Sequence, residues 1–403
     1  MDDNTLVCDV LIVGGGPAGL SVASTLPDDI KTVIVHQDQE IGLPVRTSGG
    51  CWMQDVDRLG IPDGMYQRVQ TTEAFSDNEH ATLAFGDVVP VILDTPSLYQ
   101  WIAQQSDHKD RTLLLGTKFL SARQRDDGLY ESKIRARDKA FDRVISKYIV
   151  DASGWHFAVL NALGLVSKPQ RLGVGTEYEY PLGDNAPDRA LIFVGKKVLS
   201  GYGWVFPTVL GTLRVGVGVI QPDTDKSPRE LLDAVVKDKA YTDRLGLKLE
   251  GEPIVHSGIL PSVAYDDRLV FGKVIRVGDS ANFATPTLGE GIRICMDLGR
   301  LLGEQLGLAV KTGRDRPLKT YERRCRRKLK RDYKWGFHVN MRAAKYTHED
   351  WNASVRRMRH LGPDALVATF RGEFPPLKIA RIFLSVIRPY LRSRLRRIRA
   401  GKA

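Results

Sequence analysis

The chain begins with an apolar run that stops at three glycines. Residues 9–13 have the continuous apolar pattern of a buried parallel strand, and residues 18–26 predict a short helix. A second apolar run at 31–35 predicts the next parallel strand. A strand, a glycine-rich turn, a helix and a further strand indicate an α/β domain at this end of the chain.

The middle of the chain is dominated by short strand-like runs. Residues 123–150 predict a β-meander, and residues 72–93 alternate like small antiparallel strands. Between 170 and 265 we predict strands at 174–180, 190–194, 204–209 and 213–220, with one helix at 228–238. This pattern favours an antiparallel sheet, one face of which covers a pocket.

These patterns predict a fold of the α/β (α+β) class. A discontinuous Rossmann-like domain takes residues 1–72, 94–168 and 268–310, and an inserted antiparallel-sheet substrate domain takes 73–93 and 169–267. Residues 311–403 form a basic helical region. The chain has no run of 18 apolar residues and no signal-peptide pattern, so we expect a cytoplasmic protein.

Charge is distributed unevenly along the 403 residues, whose formal net charge is +11. Residues 311–403 hold 27 Lys and Arg against 7 Asp and Glu, which leaves 32 basic and 41 acidic residues before them. Basic cores lie at 321–334 and 378–399, the second with an amphipathic pattern. Such helices lie on anionic membrane surfaces or pack on a neighbouring domain, whereas nucleic acid is disfavoured because no known binding module accompanies the charge.

The four cysteines, Cys8, Cys51, Cys295 and Cys325, are far apart and form no CxxC pair. We therefore expect free thiols, with neither a metal site nor a disulfide framework.

Candidate ligand-binding chemistry starts at the glycine turn. Gly14, Gly16 and Gly19 have the GxGxxG spacing, which brings a pyrophosphate against bare backbone at a helix N-terminus. The acidic residue usual at the end of the second strand is replaced by His36. A neutral histidine can accept a hydrogen bond from a ribose hydroxyl, although a surface turn histidine is an equal alternative.

Three later segments extend this site. The loop at 40–52 carries Arg46, a candidate bidentate partner for a pyrophosphate or a substrate diphosphate, and two glycines that allow a flat ring to approach. A DASG turn follows a strand at 151–154. At 278–292, GDSANFATPTLGEGI places Asp279 to accept a sugar hydroxyl hydrogen bond, ahead of a helix predicted at 292–308.

Aromatic residues alternate at 201–207, GYGWVFP. Tyr202, Trp204 and Phe206 point to one face of a strand, followed by Pro207. They form either the wall of a pocket for a long apolar or planar ligand or a packed sheet core.

The glycine turn, the DASG turn and the segment at 278–292 resemble the FAD-binding motifs of p-hydroxybenzoate hydroxylase-like flavoproteins. Within that group, EIGLPVR and the Y-x-W-x-F-P pattern of residues 202–207 resemble the geranylgeranyl reductase family, over residues 5–310. The resemblance implies FAD, with its isoalloxazine between the loops at 46–50 and 286–291. The implied cofactor-binding residues are Gly14, Gly16, Pro17, Ala18, Gly19, His36, Gln37, Arg46, Thr47, Ser48, Gly49, Gly50, Ala152, Gly154, Gly278, Asp279, Pro286, Gly289, Glu290, Gly291 and Ile292.

The activity implied by the resemblance is hydride transfer from reduced flavin to carbon-carbon double bonds of a geranylgeranyl or other polyprenyl lipid. Tyr202 and Cys51 are the candidate proton donors, and Thr47 stands where many of these reductases have cysteine. The sequence leaves open NADPH, a reduced ferredoxin or a flavin reductase as electron donor. The alternatives are a flavin monooxygenase or, less favoured, a halogenase acting on an aromatic or polyketide substrate, and a non-catalytic flavin-binding scaffold.

Overall fold

The computed structural model describes residues 4–137 and 140–374, which form eighteen strands and ten α-helices. The strands are β1 (Thr5–Val13), β2 (Thr32–Val35), β3 (Gly50–Trp52), β4 (Tyr66–Arg68), β5 (Thr71–Phe75), β6 (His80–Thr82), β7 (Pro90–Leu93), β8 (Arg111–Leu114), β9 (Lys118–Gln124), β10 (Tyr130–Arg135), β11 (Arg143–Asp151), β12 (Leu172–Pro181), β13 (Arg189–Phe193), β14 (Gly201–Pro207), β15 (Thr212–Gln221), β16 (Ile254–Pro261), β17 (Val270–Phe271) and β18 (Val274–Arg276). The helices are α1 (Pro17–Thr25), α2 (Met53–Leu59), α3 (Thr95–Gln105), α4 (Ala158–Ala162), α5 (Pro228–Val236), α6 (Lys239–Arg244), α7 (Ile292–Thr312), α8 (Arg316–Ala343), α9 (His348–Met358) and α10 (Pro363–Arg371).

An eight-stranded sheet carries the N-terminal glycine turn. Its main order is β17-β18-β11-β1-β2-β8, and β10 and β9 extend it from β11 as an antiparallel pair. β1 pairs in parallel with both β11 and β2. Val10, Leu11 and Ile12 are completely buried because helices cover one face of the sheet, and β9, β10 and α4 cover the other. The predicted mixed α/β fold is confirmed.

Helices α1, α7 and α8 pack over one face of this sheet. The apolar side of α8 joins the same core through Leu318, Tyr321 and Leu329, and the Tyr321 hydroxyl donates a hydrogen bond to the Arg276 carbonyl at 2.9 Å. For the basic segment at 321–334, the structure therefore shows the packed alternative, with the basic side turned outward. The second basic segment, at 378–399, lies outside the described residues.

A seven-stranded sheet lies beside the first, with the order β16-β12-β15-β14-β13-β5-β6. All its pairs are antiparallel except β13 with β5. Residues such as Tyr178 and Val215 face α5 and α6 in one core, and the opposite face borders a cavity. The single helix predicted at 228–238 is two helices, because Asp238 caps α6 by accepting a hydrogen bond from the Tyr241 amide at 3.0 Å.

The segment at 73–93, which we predicted to belong wholly to the antiparallel substrate sheet, divides between two sheets. β6 and most of β5 lie in it and join the seven-stranded sheet, but β7 pairs with β3 and β4 in a separate three-stranded sheet. Val91 and Leu93 are buried there with Leu98 of α3. An alternating pattern defines which face of a strand is buried but not which strand it pairs with.

The C-terminal helices α9 and α10 pack at one edge of the fold. Val355 and Phe370 pack with Trp52 and Phe85 in one apolar cluster. At the end of α10, Arg371 donates a hydrogen bond to Asp55 of α2 at 2.6 Å, which joins α10 to α2 through a buried ion pair. Within the part of the chain that the structure describes, no helix combines the length and apolar character needed to cross a membrane.

Candidate active site

One cavity of about 1070 Å³ lies between the two large sheets and the C-terminal helices. The glycine turn, the DASG turn, the loops at 46–50 and 286–291 and the aromatic strand β14 all line it. Of the residues predicted to bind cofactor or substrate, only Gly19 and Pro207 do not line this cavity. Segments that are almost 280 residues apart in sequence therefore meet around one space.

At the glycine turn, neighbouring backbone segments approach too closely for side chains. Gly14 has φ +119°, and a Cβ added there would lie 2.1 Å from the Ala152 carbonyl oxygen. A Cβ on Gly19 would lie 2.0 Å from the Gly14 carbonyl oxygen, so Gly19 packs the helix on the strand instead of lining the cavity. Gly16 faces open space at the N-terminus of α1, where backbone amides suit a phosphate.

His36 has a different role from the predicted one. Its Nδ1 accepts a hydrogen bond from the Gly15 amide at 3.2 Å, and its Nε2 lies 3.4 Å from Asp38. Burial lowers the pKa of His36, with a further lowering by the charge of Arg46 against a raising by Asp38. The neutral ring therefore uses Nδ1, its one acceptor atom, for the Gly15 amide. This corrects the prediction that His36 accepts a hydrogen bond from a ribose hydroxyl.

Arg46 is held by a carboxylate of its own chain. Its guanidinium makes two hydrogen bonds to Asp38, at 2.5 and 3.0 Å. Within the chain Asp38 is the bidentate partner, and the contact of Arg46 with a phosphate stays a prediction.

Asp279 is a carboxylate without a partner. It lines the cavity, and no hydrogen bond to its side chain exists among the described residues. Burial raises the pKa of Asp279 to about 6. A Cβ on Gly291 would lie 3.8 Å from Asp279 Oδ1, so the carboxylate stands at the start of α7. It is available to a hydroxyl donor of a bound ligand, which is what a ribityl chain offers.

The two loops predicted to flank the isoalloxazine both touch the cavity face of the seven-stranded sheet. A Cβ on Gly258 of β16 would lie 2.0 Å from the Arg46 carbonyl oxygen, and one on Gly289 would lie 3.0 Å from Leu260 of the same strand. Both loops therefore border the same strand and line the cavity beside it, and this part of the cavity is called the slot below.

The aromatic strand forms part of the cavity wall. Tyr202, Trp204 and Phe206 all line the cavity, whereas Pro207 is buried at the end of the strand. The Tyr202 hydroxyl donates a hydrogen bond to the Leu288 carbonyl at 2.7 Å, and burial raises its pKa to about 12. The Cys51 thiol also lines the cavity, and burial, followed by the charges of Glu290 and Asp55, raises its pKa far above the ordinary value.

Sequence reasoning missed a polar cluster on this wall. Glu177 and His256 line the cavity, and Glu179 and Arg214 lie buried beside them. The only available signal was the alternation at 176–180, TEYEY, which puts both glutamates on the face opposite Tyr178.

The sequence analysis also missed the contribution of α8, α9 and α10. They close one side of the cavity with Asn340, Ala343, Trp351, Met358 and Phe370. No motif marks these positions.

The residues present fit FAD. The bare glycine backbone accommodates a pyrophosphate. The Asp279 carboxylate has no hydrogen-bond donor among the described residues, and a ribityl hydroxyl would supply one. The slot beside β16 accommodates a flat ring system.

Comparison with known proteins agrees with this geometry. The FAD binding domain family matches residues 7–334. Digeranylgeranylglycerophospholipid reductase 3 of Methanosphaera stadtmanae is 25% identical over 322 residues, which cover 75% of this chain and 78% of that protein.

Two solved structures share the fold. A geranylgeranyl bacteriochlorophyll reductase-like protein from Thermoplasma acidophilum superposes with a TM-score of 0.78 at 18% identity, covering 94% of this chain and 100% of its own. A p-nitrophenol 4-monooxygenase from Pseudomonas putida gives a TM-score of 0.68 at 18% identity, covering 96% and 98%. The chain therefore belongs to the FAD binding domain family, and it is an FAD-dependent, geranylgeranyl reductase-like oxidoreductase.

Proposed function

We propose that this protein reduces carbon-carbon double bonds in the polyprenyl chain of a lipid, with FAD as the hydride carrier. The observation that carries the proposal is the continuity of the cavity, which joins the FAD-binding turn to an aromatic wall large enough for a long apolar group. The Methanosphaera relative is named a digeranylgeranylglycerophospholipid reductase, which supports this substrate class.

The residues have separate parts in this proposal. Gly14 and Gly16 accommodate the pyrophosphate, and Asp279 accepts a hydrogen bond from the ribityl chain. Reduced FAD supplies the hydride, which is chemistry that the side chains themselves cannot perform. Trp204 and Phe206 hold the polyprenyl chain against the slot beside β16 and exclude water from it.

An anaerobic reaction tests the proposal. The purified protein is loaded with FAD, reduced chemically and mixed with a geranylgeranyl lipid, while flavin absorbance and product mass are followed. Reoxidation with a gain of two hydrogens in the lipid is expected. If the lipid is unchanged until oxygen enters, and an aromatic substrate then gains one oxygen atom, the protein is a monooxygenase.

We also propose that the cavity takes its lipid from an anionic membrane surface. Val339 of α8 is 45% exposed and also lines the cavity, and Trp335 one turn earlier is 53% exposed. Lys334 and Arg342 lie close to them in the same helix. An exposed indole and a valine among cations suit the boundary between headgroups and acyl chains.

A further inference from the structure

His256 stands out among the cavity residues to which the site described above gives no role. It lies on β16, its side chain is 12% exposed, and it lines the cavity. Its Nε2 is 2.8 Å from Glu179 Oε2, whereas its Nδ1 has no hydrogen-bond partner among the described residues. One ring nitrogen is thus fixed by a carboxylate and the other is left for a different partner.

The strand places His256 beside the flavin slot. Residues two apart on a strand share a face, so His256, Gly258 and Leu260 point the same way. Gly258 meets the Arg46 carbonyl oxygen, and Leu260 meets Gly289. The imidazole is therefore on the face of β16 that borders both loops around the slot, about 7 Å from Gly258 at the usual rise of a strand.

Charged side chains from two neighbouring strands surround the imidazole. Glu177 and Glu179 of β12 and Arg214 of β15 are buried, and Arg214 Nε lies 2.9 Å from Glu179 and 3.9 Å from Glu177. Two carboxylates and one guanidinium leave one negative charge without compensation. His256 Nε2 lies 2.8 Å from this group of carboxylates, which fixes the ring on that side.

Two further groups bear on this charge balance. Burial raises the pKa of Glu179, but hydrogen bonds from His256 and Thr212 and the charge of Arg214 outweigh it and lower the value to about 2. Glu179 is thus anionic over the working pH range. His156, from the turn at Gly154–His156 that packs against β16, is the other titratable group on this side, and burial and nearby cations lower its pKa.

Three other acids in the cavity are less suitable as proton donors. The proton of Tyr202 is donated to the Leu288 carbonyl, and Cys51 holds its proton too firmly to give it up readily. Glu290 Oε1 is bound by Arg293 at 2.7 Å in a separate buried ion network. Unlike these three groups, His256 has one ring nitrogen fixed by a carboxylate and the other without a partner among the described residues.

We propose that His256 is the proton donor of the reaction, with Glu179 as its positioning residue. The inference rests on the proposed reductase function. The π bond of the substrate breaks as one carbon receives the hydride that reduced FAD supplies and the other receives the proton from His256 Nδ1. The alkene is reduced, the flavin is oxidised, and neutral His256 regains a proton from water.

The test compares His256→Gln with His80→Gln in the full-length protein. His80 is a matched control because it also pairs with a glutamate, Glu73, at 2.7 Å in the same sheet, but does not line the cavity. In the anaerobic reaction we expect His256→Gln to slow flavin reoxidation by the lipid at least about 100-fold, within the usual range for a general acid. His80→Gln should react at the wild-type rate, and both variants should bind FAD as wild type does.

Two further readouts separate an acid from a structural residue. If His256 is the acid, the pH profile of the wild-type rate should contain a limb that is missing from the profile of His256→Gln. NMR of labelled histidine in the FAD-free protein should show a changed His256 ring signal in Glu179→Gln, because the charge of the group 2.8 Å from Nε2 is removed. If the wild type reacts and His256→Gln reacts equally fast, His256 is not the proton donor, but the reductase function stands. If the wild type does not react with the lipid, the result counts against the reductase function itself.

Discussion

The indole nitrogen of Trp204 donates a hydrogen bond to Glu177 Oε2 at 3.0 Å, inside a wall that the sequence predicted to be apolar. The ring lies flat on a surface of glycines contributed by β12 and β15. A Cβ on Gly216 would lie 2.2 Å from the ring, one on Gly218 3.2 Å and one on Gly175 3.3 Å. The position of the aromatic wall therefore depends on small residues beneath it and on a carboxylate at its edge.

Gly216→Ala should displace Trp204. The added methyl group cannot coexist with the ring at 2.2 Å, and we expect a loss of about 1–3 kcal/mol in the free energy of unfolding, as for other overpacked sites. Urea unfolding and tryptophan fluorescence measure the two effects. Gly175→Ala, where the added Cβ would lie 3.3 Å from the ring, should lower the free energy of unfolding clearly less. Equal losses in the two variants would contradict this explanation.

Gly14→Ala should abolish tight FAD binding. The new Cβ would collide with the Ala152 carbonyl at a residue with φ +119°, so the turn that accommodates the pyrophosphate must distort. We expect FAD affinity to fall by at least about tenfold, equivalent to 1.4 kcal/mol. Flavin fluorescence on titration measures it. Gly128→Ala, also at positive φ but in an open turn, controls for backbone strain and should bind FAD normally.

The FAD-free protein should lose stability as the pH rises from about 4 through 6, owing to Asp279. Its pKa in the folded state is raised to about 6, so the folded protein binds a proton more readily than the unfolded chain, and this stabilisation is lost as pH rises through that value. Relative to Asp279→Asn, we expect wild type to become less stable by about 1–2 kcal/mol between pH 5 and 8, from about 1.4 kcal/mol per pKa unit.

The same comparison with FAD bound should differ. If the carboxylate accepts a ribityl hydrogen bond, the stability difference between wild type and Asp279→Asn should shrink or reverse on saturation with FAD. Urea unfolding at each pH, with and without FAD, gives both curves. A pH-independent difference between the two FAD-free proteins would argue against a raised pKa.

Arg371→Gln should weaken the attachment of the C-terminal helices. Arg371 forms a buried ion pair with Asp55 at 2.6 Å and a partly exposed one with Glu373 at 3.0 Å. Removing one partner of a buried pair costs about 3–5 kcal/mol. Arg359→Gln, at an exposed ion pair with Glu79, should cost under about 1 kcal/mol. Urea unfolding measures the free energy of unfolding of both variants. Similar values would show that Arg371 does not hold the C-terminal helices in place.

Membrane binding through α8 should depend on its exposed apolar residues. We expect the double variant Trp335→Ala with Val339→Ala to float poorly with vesicles that contain anionic phospholipid, because less apolar surface enters the interface. Leu210→Ala, at a residue 63% exposed in a hairpin turn, is the control and should float like wild type. Equal flotation of all three proteins would remove α8 from the membrane proposal.

The sequence predicted the parts of the site that depend on local backbone chemistry. Turns such as that at Gly14 and strands such as β14 are visible because glycine spacing and aromatic alternation are local patterns. It did not predict that Asp38 would take the Arg46 guanidinium, or that β7 would pair with β3, because both depend on which segments meet in three dimensions. The cluster of Glu179, Arg214 and His256 comes from three strands and has no linear signature.

One stoichiometric measurement tests the central claim most directly. The FAD-loaded protein is reduced to completion without oxygen, mixed with excess geranylgeranyl lipid, and the flavin oxidised is compared with the double bonds lost, counted by product mass. We expect one double bond reduced for each FAD oxidised, with both added hydrogens as deuterium when the reaction is run in D₂O. Flavin that stays reduced in the presence of the lipid, or that is oxidised without a matching loss of double bonds, would contradict the account.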